Sequence, residues 1–200
     1  KLKVDMPETY EMPEPFLRES NRTDKAKHFV KLLDSDINLA QIEKEALHNK
    51  VLLIVNTVHK AQDIFDKIKA ENKQLFHSLY TREHRDILEH ELINFSKNPD
   101  AKGVWITTQI VEASLDIDFD ILHTEMCTID SLFQRMGRIL RGRDRFLKHQ
   151  SPNVYVYTKQ PTGIGNVIDP EIYRYSLNAL KKALNADGTQ ILTEVDKQNI

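Results

Sequence analysis

Residues 51–55 have the sequence VLLIV, an uninterrupted apolar run in which three of the five residues are β-branched. A run this short is typical of a strand that is buried on both faces, as in a parallel sheet covered by helices. The apolar residues that follow recur at helical spacing, at Ala61, Ile64, Phe65 and Ile68. Together the two patterns predict a strand followed by a helix, which is the repeating unit of α/β folds.

The same alternation continues along the chain. Further strands are predicted at 75–76, 104–107, 121–123 and 154–157. Further helices are predicted over 37–48, 87–95, 131–140 and 172–184. Strands that alternate with helices form a parallel sheet with helices on its faces. We therefore predict an α/β fold, a three-layer domain with a mostly parallel sheet over about 45–160 and with helical flanks.

The two ends of the chain differ from this pattern. Residues 1–22 contain three prolines and five acidic residues without periodicity, which predicts a linker or an arm. Thr23 is a suitable N-cap for a helix whose apolar face would contain Phe29, Val30, Leu32 and Leu33. The predicted division is a linker or arm over 1–22, the main lobe over 23–160 and a C-terminal helical extension over 161–200.

The composition excludes several classes of protein. Lys and Arg number 28 against 30 Asp and Glu, so the net charge of −2 excludes a histone-like polycation, and any contact with nucleic acid must be local. Cys127 is the single cysteine, which excludes an intrachain disulfide and a thiolate zinc cluster. No apolar stretch approaches the roughly 20 residues that cross a bilayer. We therefore expect no membrane contact and a cytoplasmic, reducing environment.

Residues 107–120, with the sequence TTQIVEASLDIDFD, directly follow a predicted strand. Their polar side chains should therefore emerge at the carboxyl end of the sheet, where open α/β folds bind ligands. Hydroxyl groups at such a turn suit sugar and phosphate contacts, and Asp116 could accept a hydrogen bond from a ribose hydroxyl. The alternative is a strand, a polar turn and a second strand with solvated acids.

Residues 134–141, with the sequence QRMGRILR, form the second motif. On a helix, Gln134, Arg138 and Arg141 would lie on one face because their spacing is i, i+4, i+7. Converging guanidinium groups repel each other unless an anion lies between them, and polyphosphate matches their paired donors. Gly137 allows a close approach at that point. The alternative is an exposed basic helix.

The two motifs, in this order and about 20 residues apart, resemble motifs V and VI in the second RecA-like lobe of superfamily 2 helicases. The sequences TTQIVEASLDIDFD and SLFQRMGRILRGR resemble in particular the CRISPR-associated helicase–nuclease of type I systems. Residues 53–58 are similar to motif IV and residues 76–78 to motif IVa, so that the resemblance covers about 51–157. It implies that residues 23–160 are a RecA-like helicase lobe.

The resemblance also implies roles for individual residues. Gln134, Arg138 and Arg141 would face the γ-phosphate of ATP bound between two lobes. Arg141 would be the arginine finger and Arg138 its partner, a type of group that raises phosphoryl-transfer rates by roughly 10³–10⁵. Asp116 would touch the ribose or help to couple the two ligands.

A second set of residues would bind the backbone of single-stranded DNA. The resemblance assigns this contact to Thr108 and Gln109, with further phosphate contacts from Asn56, Thr57 and Ser78. It implies a translocase that unwinds DNA in the 3′-to-5′ direction during CRISPR interference, with the CRISPR surveillance complex as a partner. After His77-Ser78, where the family often has an arginine, this chain has Leu79 and Tyr80.

Several parts of such a machine have no counterpart in the sequence. The 200 residues contain neither a G-x-x-x-x-G-K-[ST] motif nor a His-Asp dipeptide. We therefore expect the P-loop lobe, the ligands of Mg²⁺ and the nuclease domain to lie elsewhere, in the same or another chain, and we expect Lys1 to begin an excised fragment. The isolated fragment should hydrolyse no ATP. Two alternatives are a lobe of another superfamily 2 helicase that acts on RNA or DNA, and a non-catalytic RecA-like binding module.

Overall fold

The computed structural model describes residues 26–112, 115–142, 145–147 and 151–200. Seven strands form one sheet: β1 (His28–Leu33), β2 (Lys50–Ile54), β3 (Lys73–Phe76), β4 (Gly103–Thr107), β5 (Ile121–Glu125), β6 (Val154–Tyr157) and β7 (Thr189–Leu192). Six α-helices accompany it: α1 (Leu39–Ala46), α2 (Val58–Lys67), α3 (Arg82–Lys97), α4 (Ile129–Met136), α5 (Pro170–Ala183) and α6 (Glu194–Asn199). A short 3₁₀ turn spans Gln109–Val111.

The strand order is β3-β4-β2-β5-β6-β1-β7. Every neighbouring pair is parallel except β1 and β7, which are antiparallel. The predicted α/β fold with a mostly parallel sheet is therefore confirmed. Because β2 to β6 run in one direction, their carboxyl ends meet at one edge of the sheet, and the segments that leave them lie side by side.

Apolar side chains cover both faces of the sheet. All residues of 51–55 are fully buried, and they alternate between two separate apolar clusters. Leu52 and Ile54 pack in the cluster that includes residues of α3, α4 and α5, whereas Val51, Leu53 and Val55 pack against α1 and α2. The strand therefore has helices on each face, as its apolar run predicts.

The predicted helix that begins at Thr23 is wrong, because residues 28–33 form β1; Thr23 itself lies outside the described residues. His28 and Val30 are buried while Phe29 is partly exposed, which is the two-residue period of a strand. Val30 pairs with Val154 of β6 and with Gln190 of β7. These partners are more than 100 residues away along the chain, so the local hydrophobic pattern could not predict the pairing.

The two ends of the chain complete this description. The predicted linker or arm over 1–22 lies outside the described residues. Within 161–200, the helix predicted over 172–184 is present as α5. The structure adds α6 and the strand β7, which pairs with β1, so the extension is not helical throughout. Among the described residues, no helix is long and apolar enough to cross a bilayer.

Candidate nucleotide and nucleic-acid site

Helix α4 ends earlier than its sequence predicts. Gly137 is its C-cap, and Arg138, Ile139 and Leu140 lie beyond the last helical turn. The backbone there pairs with Phe119 instead, since the Phe119 N–H donates to the Arg138 carbonyl (3.0 Å) and the Leu140 N–H donates to the Phe119 carbonyl (3.0 Å). The predicted single helical face through Gln134, Arg138 and Arg141 is therefore wrong. Gln134 is exposed in the last turn of α4.

The two arginines nevertheless converge, through the fold rather than through helical spacing. Arg138 Nη1 and Arg141 Nη1 both donate to the carbonyl oxygen of Leu115, the latter at 3.0 Å. Arg138 Nη2 also donates to the carbonyl of Glu112. Asp116 completes the group, with its Oδ1 atom 3.3 Å from Arg141 Nη1. Three of the four residues predicted to serve the nucleotide thus lie together.

This group carries an excess of positive charge. Burial lowers the pKa of Arg138, and the positive charge of Arg141 lowers it further. Within the part of the chain that the structure describes, the buried Nε atom of Arg138 has no hydrogen-bond partner. The side chains of Arg141 and Asp116 are 46% and 71% exposed, and an exposed pair of this kind is worth only about 0–1 kcal/mol. A phosphate group could therefore replace Asp116 as the partner of Arg141 at little cost.

Arg135, to which the sequence gives no role, is the most buried charged group of the site. Its side chain is fully buried, and its Nε atom lies 2.7 Å from Oε1 of Glu112. Its Nη1 atom donates to Thr124 Oγ1 (2.7 Å), and its Nη2 atom donates to Asn56 Oδ1 (3.0 Å). A signal was present in the sequence, because Arg135 follows the apolar Leu132 at a spacing of i+3 on the inner face of α4.

The residues predicted to bind DNA follow β2, β3 and β4 at the shared carboxyl edge. Thr57 caps α2, since its Oγ1 accepts a hydrogen bond from the Lys60 N–H. Ser78, after β3, is exposed. After β4, Thr108 is buried, and Gln109 is half-buried with its Nε2 atom donating to the Asn56 carbonyl (2.9 Å). The fold thus brings these separate segments together.

Asn56 differs from the other members of this group. It is 1% exposed, and its Nδ2 atom donates to the carbonyls of Met126 (3.0 Å) and Thr162 (3.1 Å). Its Oδ1 atom accepts from Arg135. A side chain with both polar atoms used internally supports the edge and does not reach a ligand. The prediction of a direct phosphate contact by this side chain is corrected accordingly.

A segment that follows β6 covers Asn56, and sequence analysis missed it. Both carboxylate oxygens of the buried Glu125 accept from Thr162, at 3.0 Å from its N–H and 2.8 Å from its hydroxyl. The Thr57 hydroxyl donates to Thr162 Oγ1 at 3.1 Å. Gly163, at φ +79°, lies so close that a Cβ there would stand 3.3 Å from Cγ2 of Thr57. A buried acid at the end of β5 was the available signal.

Metal and thiol chemistry have little support in this lobe. Within the described parts of the chain, no group of three or more His, Cys, Asp or Glu side chains could hold a metal ion. Cys127 is buried, and burial raises the pKa of its thiol to about 11. The hydrogen-bond donors that the site does present, on Arg138, Arg141 and Gln109, are cationic or neutral groups of the kind that bind phosphate.

Comparisons with known proteins show which family this chain resembles. The family described as CRISPR-associated nuclease/helicase Cas3, C-terminal, matches residues 47–144. The CRISPR-associated nuclease/helicase Cas3 of Methanothermobacter thermautotrophicus is 33% identical over 162 residues, which are 80% of this chain and 19% of that protein. The CRISPR-associated endonuclease/helicase Cas3 of Escherichia coli is 39% identical over 105 residues, 48% of this chain and 12% of that protein. The chain thus spans a fifth or less of these curated relatives.

Solved structures show the same fold. The crystal structure of T. fusca Cas3 with ADP has a TM-score of 0.68 and 19% identity, over 88% of this chain and 23% of that one. A crystal structure of a CRISPR-associated protein has a TM-score of 0.67 and 25% identity, over 90% of this chain and 22% of that one. The predicted RecA-like architecture is confirmed by this likeness.

Proposed function

This chain carries a second RecA-like lobe of the Cas3 type, and from that premise we propose that it is one half of an ATP-driven motor that moves along single-stranded DNA. The other half is a first RecA-like lobe that holds the P-loop. The complete machine unwinds DNA in the 3′-to-5′ direction and passes the target strand to a nuclease domain during CRISPR interference, an antiviral defence.

One observation supports this proposal above all others, the meeting of Arg138 and Arg141 at the carbonyl of Leu115. Two guanidinium groups that share one neutral acceptor repel each other, and a bound anion relieves that repulsion. Arg141 is half-exposed, so its side chain is free to turn toward a ligand in a facing lobe. A triphosphate bound between the lobes is the anion whose oxygens match the paired N–H donors of both guanidinium groups.

In this motor Arg141 acts as the arginine finger and Arg138 as its partner. Both place positive charge where negative charge develops on the transferring phosphoryl group. Gln134 reaches the same phosphate from the end of α4, and Asp116 accepts a hydrogen bond from the ribose. Mg²⁺ supplies further charge neutralisation when it is bound with ATP. We assign the ligands of Mg²⁺ to the first lobe, which holds the P-loop.

The edge that contains Thr57, Ser78, Thr108 and Gln109 is proposed to hold the DNA backbone. Hydroxyl, amide and backbone N–H groups contact phosphates without selecting a base, and a motor that moves along any sequence needs this property. The near-neutral charge of the chain keeps each contact weak enough to release. Asn56 supports this edge from beneath through its bond from Gln109.

Arg135 connects the two proposed sites through continuous hydrogen bonds. Arg138 donates to the backbone carbonyl of Glu112, and the Glu112 carboxylate accepts from Arg135. Arg135 donates to Asn56, and the Asn56 carbonyl accepts from Gln109. We infer that this buried path transmits a change at the phosphate to the DNA edge. The CRISPR RNA-guided surveillance complex that contains a structural neighbour of this chain is the proposed partner of the assembled protein.

The decisive experiment replaces Arg141 by alanine in the complete two-lobed protein and measures DNA-stimulated ATP turnover. We expect turnover to fall by about 10³-fold or more while single-stranded DNA still binds. Arg174→Ala is the matched control, since Arg174 is also an exposed arginine beside a carboxylate, on α5. Turnover within about tenfold of the unmodified protein would contradict the finger assignment.

The same assay separates the alternative functions. Stimulation by RNA in place of single-stranded DNA would favour another superfamily 2 helicase. Nucleic-acid binding without any ATP turnover in the complete protein would favour a non-catalytic RecA-like binding module. Stimulation by single-stranded DNA together with loss of turnover in Arg141→Ala supports the motor proposed here.

A further inference from the structure

The segment that carries both proposed phosphate-binding arginines is residues 137–142, here called the arginine loop. On one side it pairs with Phe119. On the other side it is anchored by two consecutive residues at the start of β1. Lys27 Nζ donates to the carbonyls of Arg141 (3.2 Å) and Gly142 (2.9 Å). The His28 ring contacts the carbonyl of Met136, directly before the loop, through Nε2 at 2.8 Å.

The hydrogen bonds around His28 fix the position of its proton. A carbonyl oxygen can only accept, so the Nε2 atom carries the hydrogen and donates it to Met136. An ammonium group can only donate, so Lys197 Nζ donates to Nδ1, at 2.8 Å. The same Nζ atom lies 2.6 Å from Oε1 of Glu194, one turn earlier in α6. The order of donation therefore runs from α6 through His28 to the last residue of α4, directly before the arginine loop.

Burial keeps this arrangement in one protonation state. His28 is 3% exposed, and burial together with the charge of Lys197 lowers its pKa to about 3. The imidazole is neutral at physiological pH, as an acceptor for Lys197 must be. The side chain of Lys197 is itself only 10% exposed.

Among the described residues, packing against the loop is incomplete on the side that faces α6. A cavity of about 370 Å³ lies between α6, β1 and the loop, and Phe133, Gly137, Arg141 and Lys197 line part of it. A loop that faces empty space on one side can shift into it when its anchors are removed. The carbonyl anchors from Lys27 and His28 hold the loop on this side, while the buried side chains of Ile139 and Leu140 hold it toward the core.

We propose that Lys27, His28 and Lys197 are positioning residues for Arg138 and Arg141, and that α6 sets the arginine loop through Lys197 and His28. This inference rests on the proposed function, because it assigns the loop's arginines to the phosphate. A guanidinium group accelerates phosphoryl transfer only when it stands within a fraction of an ångström of its place in the transition state. An anchor on the backbone of its loop controls that distance.

The test replaces Lys197 by methionine in the complete two-lobed protein. Methionine keeps the apolar stem and removes the hydrogen bond to His28 Nδ1, so the imidazole is no longer held from the α6 side and its donation to Met136 is less firmly oriented. We expect kcat for ATP to fall about tenfold with KM changed less than about twofold, because the arginines act mainly in the transition state. Lys197→Arg, which keeps a donor, should restore most of kcat. Lys182→Met, on the exposed side of α5, is the matched control.

A double-mutant cycle separates positioning from a general structural role. In the Arg141→Ala background, measured in single turnovers, Lys197→Met should lower the rate by about threefold or less, since one of its two targets is gone. A full tenfold loss in that background, or unchanged kcat in the single variant, overturns the proposal. If Lys197→Met lowers the melting temperature enough to prevent the assay, Lys27→Met tests the second anchor with the same expectations. Full turnover in Arg141→Ala alone refutes the proposed function instead, so the two failures are distinguishable.

Discussion

Replacement of Arg135 by methionine tests the buried ion pair at the centre of the candidate site. Methionine has a similar length and fills the same apolar space, but it removes the cation and its bonds to Glu112, Thr124 and Asn56. The side chain of Glu112 is only 11% exposed. Its carboxylate would therefore remain desolvated without the guanidinium group that now lies 2.7 Å away.

The expected cost follows from that geometry. Removal of one partner of a buried ion pair destabilises a protein by about 3–5 kcal/mol, because the other charge stays buried without compensation. Domains have free energies of unfolding of about 5–15 kcal/mol in total, so the variant should lose a large share. With a slope of about 1–3 kcal/mol per molar urea, the unfolding midpoint should fall by roughly 1–2 M or more.

The assay is urea unfolding of this chain, followed by the fluorescence of its single tryptophan, Trp105, which is 2% exposed. The double variant Arg135→Met/Glu112→Gln should recover about 1–3 kcal/mol, because a neutral amide needs no cation. Arg174→Met is the control. Its ion pair with Glu171 is exposed at 3.7 Å, and its loss should cost less than about 0.5 kcal/mol.

Two results would refute this reasoning. The first is a cost for Arg135→Met no larger than that of the exposed control. The second is a double variant as unstable as the single one, since the stranded carboxylate would then not be the cause. Either result would also remove the physical basis for a rigid path between the arginines and the DNA edge.

Three further predictions concern the isolated chain. It should hydrolyse no ATP, and phosphate release that persists after Arg141→Ala would contradict both this expectation and the finger assignment. It should bind single-stranded DNA weakly and in a salt-sensitive manner, and Gln109→Ala should weaken that binding. If immobilised single-stranded DNA retains the unmodified chain and Gln109→Ala equally at low ionic strength, the result counts against the proposed edge. Because the pKa of His28 is lowered from 6.5 to about 3, the unfolded chain binds more protons between these pH values, so stability present above pH 6.5 is lost as pH falls toward 3, by on the order of 3–5 kcal/mol. Acid unfolding should therefore move to lower pH in His28→Gln, and an unchanged midpoint would show that this histidine titrates normally.

The sequence determined those parts of the fold in which burial is visible locally, as a continuous run of apolar residues. The apolar run at 51–55 and the strand at 104–107 belong to internal strands of the sheet, where both faces are covered, so continuous hydrophobicity identified them. The first motif was recognisable for a related reason, since it follows β4 and the carboxyl end of a parallel strand presents polar residues at a fixed place in the chain.

Only the tertiary structure decided which distant segments meet. β1 is a strand because β6 and β7, more than 100 residues away, pair with its two edges. α4 ends at Met136 because the residues that follow Gly137 form backbone hydrogen bonds with Phe119 in place of another helical turn. That same pairing, and not a helical repeat, brings Arg138 and Arg141 to one carbonyl, while Arg135 turns inward to Glu112. The periodicity of apolar residues indicates which side of a helix or strand is buried. Which segment pairs with a strand edge, or which group neutralises a buried charge, depends on how the whole chain packs.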